Sequence, residues 1–215
     1  MSKQEPKYIP ALSFRALTPF YDPLLNWVMR EKYFKGRLIE QADIRAGQHV
    51  LDVGCGTGTL ALMMKQTQPQ IIVVGLDGDP DILAIARRKA EQAGIDILFD
   101  QGLATVLPYE DHSFDRVLSS LVFHHLTAED KQLALKEIYR VLKRGGEVHF
   151  ADFGKPYDAY SRIVGYFMRH MERVDDNVMG LIPEYFRRAG FKEPKETASY
   201  TTFFGALTMI QARKE

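Results

Sequence analysis

Val50-Leu51-Asp52-Val53-Gly54-Cys55-Gly56-Thr57-Gly58 is the stretch on which the reading of this chain turns. An apolar run ends in three alternating glycines, and residues at helical spacing (Leu60, Ala61, Met63, Met64) follow at once. Strand, glycine turn and helix in that order open a βαβ unit, and ligands of such folds sit outside the carboxyl ends of the strands. Glycine lets the backbone approach the ligand and take conformations that a Cβ forbids. The next apolar run, Ile71 to Leu76, leads into Asp77. An acidic side chain about 20 residues after the glycine turn is placed to meet a ribose hydroxyl pair. The two features together predict an adenosine-type cofactor.

The spacing discriminates further. A dinucleotide site needs G-x-G-x-x-G, so that pyrophosphate can rest on the helix N-terminus. Here the pattern is Gly54-x-Gly56-x-Gly58, with Asp52 just upstream. That carboxylate would repel pyrophosphate and attract the ammonium group of a methionine moiety. Both points favour S-adenosylmethionine (SAM) over a nicotinamide dinucleotide.

Outward from this unit the alternation continues. Upstream, Leu24, Leu25, Val28 and Met29 recur at one-turn spacing, and a less regular stretch runs to Ala42. Downstream, the spacing predicts helices over 57–66 and 80–92, the second with Asp79 as N-cap, Pro80 in its first turn and Gly94 at its stop. Strands are predicted at 95–100, 114–120 and 147–153. Thr127 and Asp130 resemble a capping box, opening a helix that closes on Lys143 and Arg144 before Gly145. Alternating strands and helices argue a doubly wound α/β sheet, Rossmann-like and mostly parallel, with helices on both faces. The tail differs: Tyr160, Ile163, Val164, Phe167, Met168 and Met171 form one apolar stripe, expected as core packing or as a lid over an acceptor. A helix over 181–189 and two strands turning near Gly205, read as a hairpin at the sheet edge, end the chain.

A single domain over 1–215 follows: a helical cap at 1–46, a cofactor-binding core at 47–153, a lid at 154–178, and a C-terminal helix and hairpin at 179–215. Lys plus Arg and Asp plus Glu each number 28, which weighs against a nucleic-acid partner. The amino terminus lacks the apolar core of a signal peptide, no run is long enough to span a bilayer, and one cysteine excludes an intrachain disulfide. A cytoplasmic setting is expected, and oligomeric state is not legible.

With these residues in view, the sequence resembles the class I SAM-dependent methyltransferases, nearest the group containing the ubiquinone/menaquinone C-methyltransferases. The matching blocks are Leu51 to Gly58, Asp77, Leu107-Pro108-Tyr109, Ser113-Phe114-Asp115, Glu137 to Lys143 with Gly145-Gly146, and Arg188-Ala189-Gly190-Phe191. The resemblance implies a seven-stranded sheet whose last strand is antiparallel. It also implies direct methyl transfer to a small-molecule acceptor. Gly54, Gly56 and Thr57 would line the methionine end of SAM, with Asp52 and Cys55 in the same loop. Asp77 would hold the ribose beside Gly78, Ala104 would present backbone to the adenine beside Leu103, and Ser120 would lie near the methionine moiety. Two positions depart from the family. Leu103 stands where many relatives carry Asp or Asn, and His124-His125 stands where the quinone methyltransferases carry Arg-Asn.

His124 and His125 follow the fourth strand, at the rim where an acceptor would lie, and are the candidates for a general base. Phe20 and Tyr21 could fold over the cofactor, where an aromatic face favours a sulfonium. Cys55 is expected as a small buried residue rather than a nucleophile, and Asp79 and Asp81 as helix-end carboxylates rather than metal ligands. Arg162, Arg169 and Arg173 are expected on a solvated face. Two other functions compete: a nicotinamide-dependent oxidoreductase, disfavoured by the loop, and a SAM-binding regulatory or scaffold protein without catalysis, towards which only Leu103 leans.

Overall fold

The computed structural model describes residues 31–168 and 174–215. In chain order the elements are α1 (Glu31–Ala42), β1 (His49–Val53), α2 (Thr59–Thr67), β2 (Ile72–Asp77), α3 (Pro80–Ala93), β3 (Leu98–Gln101) and β4 (Phe114–Ser120). A short 3-10 turn (Phe123–His125), α4 (Ala128–Val141), β5 (Leu142–Phe153), α5 (Ala159–Met168), α6 (Asp175–Val178), α7 (Ile182–Arg188), β6 (Lys192–Thr202) and β7 (Gly205–Arg213) follow. One seven-stranded sheet runs β3-β2-β1-β4-β5-β7-β6. Strands β1 to β5 pair in parallel, and β7 lies antiparallel between β5 and β6. The expected doubly wound sheet with an antiparallel last strand is therefore the observed one.

Period-two side chains divide the core between the two faces. Val50 and Val73 pack with Phe34, Leu38, Met64 and Leu83 on one side, beneath α1, α2 and α3. Leu51, Val74, Val117 and Val148 pack with Leu135, Ile138 and Phe186 on the other, beneath α4 and α7. The chain order changes direction between β1 and β4, which places the ligand crevice at the carboxyl ends of those strands.

Three boundaries differ from expectation for local reasons. The helix after β1 starts at Thr59 instead of Thr57, because Gly58 is left-handed at its N-cap. Strand β3 starts at Leu98, because Ile95 N–H donates to the Ala90 carbonyl and so belongs to the Gly94 helix cap. Helix α4 ends at Val141, and Lys143 and Arg144 begin β5 instead of closing the helix. Its last carbonyls are taken up by His112 and Ser113 N–H groups and by the Lys214 ammonium, which reaches Tyr139 and Leu142 oxygens at 2.6 and 2.7 Å.

Most of the apolar stripe of α5 stays outside the core; Val164 is half-buried, packed against Gly205. Ser161 and Gly165 face inward, and Tyr160, Ile163 and Phe167 are exposed. The Met168 side chain and Met171 lie outside the described residues, as do Leu24, Leu25, Val28 and Met29. Among the described residues no helix is long and apolar enough to cross a membrane.

Candidate active site at the carboxyl edge of β1, β4 and β5

The glycine loop is built from three left-handed residues, Gly54, Gly56 and Gly58, at φ +70, +54 and +76°. Only glycine takes this conformation without strain, so the sequence dictates the loop. A side chain at Gly54 would also collide with Val122, whose Cγ2 lies 2.3 Å from the position of the missing Cβ. The loop is thus packed against the turn that carries the histidines.

Hydrogen bonds tie the loop to the end of β2. Gly54 and Cys55 N–H groups donate to the Leu76 carbonyl at 2.8 and 2.9 Å. The Asp77 carboxylate accepts from Gly56 N–H at 2.9 Å and from Asp79 N–H at 3.0 Å. Gly102 N–H donates to the Asp77 carbonyl at 3.0 Å, which brings the Leu103–Ala104 segment to the same edge. Burial raises the Asp77 carboxyl above its ordinary range, against the pull of the Asp79 and Gly56 amides. Gly78 follows directly in this turn, and its carbonyl accepts from Gln101 Nε2 at 3.4 Å.

Beneath the loop lies Asp52, 1% exposed, with no hydrogen-bond partner among the described residues on either carboxylate oxygen. Burial pushes its carboxyl up to about 7, although buried Lys35 of α1 pulls the other way. Lys35 is itself paired with Glu31. An orphaned buried carboxylate is unfavourable unless a cation meets it. The cradle of positive-φ glycines and this waiting acceptor fit the amino acid end of SAM.

The second half of the site is a His–Asp pair. Asp152, fully buried near the end of β5, accepts from Val122 and Phe123 N–H groups at 3.0 and 2.7 Å through Oδ2. Its Oδ1 meets His124 Nδ1 at 2.8 Å. Burial would raise the Asp152 carboxyl; the His124 ring and the amide donors outweigh it and hold the group below its ordinary range. An ionised carboxylate only accepts, so Nδ1 carries a proton towards Asp152, and Nε2 is the ring nitrogen turned away from it. His125 lies against His124, ring centroids 3.9 Å apart, and burial followed by the His124 charge pushes it down to about 4. The Phe153 ring meets His124 edge-on at 4.8 Å.

The sequence-predicted residues thus gather at one edge, with local exceptions. Cys55 is buried, its thiol pushed well above the ordinary value by burial and by the Asp52 and Asp77 charges, and it contributes backbone to the loop. The Thr57 hydroxyl accepts from Lys89 at 3.2 Å, towards α3. Ser120 ends β4 beside Ala151 of β5 and is half-buried. Asp79 caps α3 by accepting from Asp81 and Ile82 N–H groups, and among the described residues no group of acids, histidines and cysteines could hold a metal. Arg162 is exposed. Phe20, Tyr21, Trp27, Arg169 and Arg173 lie outside the described residues. Asp152, Lys35 and Glu31 were missed. Asp152 had a usable signal: it is the one acidic residue in the otherwise apolar end of a strand, as Asp77 is in β2.

A methyltransferase domain model matches residues 50–146. A demethylmenaquinone methyltransferase of Thermus thermophilus is 39% identical over 66% of this chain and 65% of its own length, just under two thirds of that protein. The corresponding enzyme of Deinococcus radiodurans is 32% identical over 93% of this chain and 85% of its own length. Among solved structures, a Haemonchus contortus phosphoethanolamine N-methyltransferase in complex with SAM shares the fold, with a TM-score of 0.70 and 18% identity over 85% of this chain and 52% of that one. Sequence blocks, sheet order and relatives agree: the chain belongs to the class I SAM-dependent methyltransferases, near the group of the ubiquinone/menaquinone C-methyltransferases.

Proposed function

We propose that this methyltransferase binds SAM across the Gly54–Gly58 loop and methylates a small quinone-type acceptor in its reduced, hydroxyaromatic form. Bound SAM supplies a methyl group on a sulfonium, ready for in-line displacement. In this reading Asp52 receives the ammonium group, Gly54, Cys55, Gly56 and Thr57 shape the loop around the methionine end, and Asp77 with Gly78 holds the ribose. Leu103 and Ala104 line the adenine, and Ser120 stands at the methionine side; Tyr21, assigned to the cofactor by the sequence, lies outside the described residues.

The observation that carries the mechanism is the His124–Asp152 pair, one turn from the glycine loop through Val122. His124 Nε2 accepts the hydroxyl proton of the acceptor, and Asp152 holds the ring with Nδ1–H inward and stabilises the imidazolium that forms. The resulting oxyanion pushes electron density into the ring, so that the adjacent carbon becomes nucleophilic. After methylation that carbon's proton leaves to solvent and the imidazolium returns its proton to the carbonyl oxygen, which restores the aromatic hydroxyl and the neutral base. His125, pushed down to about 4, stays neutral and adds no competing charge.

The test is a methyl-transfer assay with a short-chain naphthohydroquinone, run on wild type, His124→Gln and Asp152→Asn. Turnover should fall by about 10²–10⁴-fold in His124→Gln, the range for loss of a general base. S-adenosylhomocysteine affinity should hold, since neither residue lies in the glycine loop. Undiminished turnover in His124→Gln would remove the base role, and methylation of the hydroxyl oxygen alone would remove the carbon acceptor.

A further inference from the structure

Helix α5 presents an apolar face that the fold leaves outside. Its inner side is small: Ser161 is fully buried, and a Cβ at Gly165 would lie 3.2 Å from Pro156 and 3.7 Å from Val178. Its outer side carries Tyr160, Ile163 at 62% exposure and Phe167 at 64%. The β6–β7 turn extends the same surface. Tyr160 Oη donates to the Phe203 carbonyl at 2.9 Å, Tyr157 Oη lies 2.7 Å from Thr201 Oγ1, and the Phe203 ring stands 65% exposed. Exposed aromatic side chains gathered on one surface mark an interaction site more often than isolated ones do.

The charge pattern identifies the partner. From Thr197 to Gln211 the chain carries no charged residue, and α5 carries one, Arg162. Lys155 stands exposed at the root of the helix. The nearby acid, Asp158, is held ionised by the Ser161 N–H at 2.6 Å and the Thr201 hydroxyl, so the rim carries these two cations against one anion. An aromatic, uncharged surface with a cationic rim suits an anionic lipid interface, where Tyr and Phe rings sit at headgroup level and basic residues meet the phosphates. A second copy of the chain suits it less. An isologous dimer centred on α5 would bring Arg162 against its own mate, with no acid on the helix to answer it.

Position gives the surface a purpose. Helix α5 follows the end of β5, and between them lies a hollow lined by Phe153, Gly154, Gly165, Val178 and Phe204. Phe153 is also the ring against His124. The hollow is small, about 10 Å³, and the exposed face lies outside it, one packed layer from the Phe153 ring that touches His124.

We propose that the α5 and β6–β7 surface docks the protein peripherally on an anionic bilayer, so that a lipophilic acceptor passes from the membrane into the site without crossing water. The docking step is independent of the acceptor's identity and is tested without one. Full-length protein is floated with phosphatidylcholine vesicles and with vesicles containing phosphatidylglycerol. Wild type should float with the anionic vesicles and less so in high salt. Phe167→Glu combined with Phe203→Glu should lower the bound fraction at least about tenfold, since the apolar insertion is lost. Arg162→Glu should weaken binding to anionic vesicles while leaving the small neutral-vesicle fraction as it was. Unchanged S-adenosylhomocysteine titration in each variant shows an intact fold. The proposal is overturned if wild type remains in the soluble fraction with both vesicle types, or if the double variant floats as wild type does. A wild-type dimer by light scattering that the double variant converts to monomer, without flotation of either, assigns the surface to a second copy instead. Loss of methyl transfer to a water-soluble acceptor, with vesicle binding retained, would count against the acceptor reading and not against docking.

Discussion

Asp52 carries a large electrostatic consequence within the site. Its folded carboxyl sits at about 7, and an unfolded aspartate lies near ~3.9. Between those values the folded state holds a proton that the unfolded state has released. The Asp52 contribution to stability therefore falls as pH rises through that window and is flat above it. Asp52→Asn should stabilise the ligand-free protein at pH 8 by up to about 4 kcal/mol, roughly three decades of displaced pKa at about 1.4 kcal/mol each, and leave it nearly unchanged at pH 4. The same substitution should weaken SAM. In wild type near pH 6, binding should release a proton, read as a buffer-dependent enthalpy in calorimetry; an enthalpy independent of buffer would contradict the role given to Asp52. Asp152 belongs to the same scale. Asp152→Asn offers its buried amide donors and His124 a poorer partner, and should lower kcat more than it changes the cofactor Kd.

Helix and loop ends carry the next level. Gly54 and Gly94 are both left-handed, at φ +70 and +64°. A side chain at Gly94 would meet open space, whereas one at Gly54 would strike Val122. Gly94→Ala should therefore cost about 1–2 kcal/mol, the penalty of an L-residue in that conformation. Gly54→Ala should cost more and also displace the histidine turn, so that S-adenosylhomocysteine binding and turnover fall together. Chemical denaturation of the two variants separates strain from collision. At the start of α4, the Thr127 hydroxyl accepts from Asp130 N–H at 3.1 Å and donates to the Asp130 carboxylate at 2.7 Å. Thr127→Ala should remove about 1 kcal/mol of stability.

For the molecule as a whole, the site is assembled from segments that no single element holds. The loop after β1, the end of β2, the turn after β4 and the end of β5 meet only because the sheet order sets β2, β1, β4 and β5 side by side. A ligand bridging them should stabilise the entire domain. With S-adenosylhomocysteine at a hundred times its Kd the gain is about 2.7 kcal/mol, which raises Tm by roughly 5–11 °C in a domain of this size. A melting curve that does not move under saturating ligand would contradict a site spanning the sheet. Distant blocks are likewise joined through space. Arg140 donates to the Tyr109 and Leu107 carbonyls at 2.7 and 3.0 Å, and Glu137 accepts from Leu107 N–H at 2.8 Å. The two sequence blocks that helped to carry the family resemblance are one clamp.

Much of this was legible in the sequence, because the relevant physics is local. Three alternating glycines require left-handed backbone, Asp79 before Pro80 and Thr127 before Asp130 announce helix starts, and alternating apolar runs specify a buried sheet. Asp77, placed at a strand end by its spacing, is found there. Tertiary structure decided what depends on neighbours far along the chain. Asp52 is orphaned because the loop closes over it, a matter of burial that no spacing encodes. His124 gains its orientation from Asp152, 28 residues away, and Lys214 satisfies a helix end that the sequence had assigned to Lys143 and Arg144. The stripe on α5 was visible as periodicity, but periodicity fixes only which residues share a face. Which face turns inward was settled by Ser161 and Gly165, whose small size lets the helix approach the sheet and leaves the aromatic side chains outside.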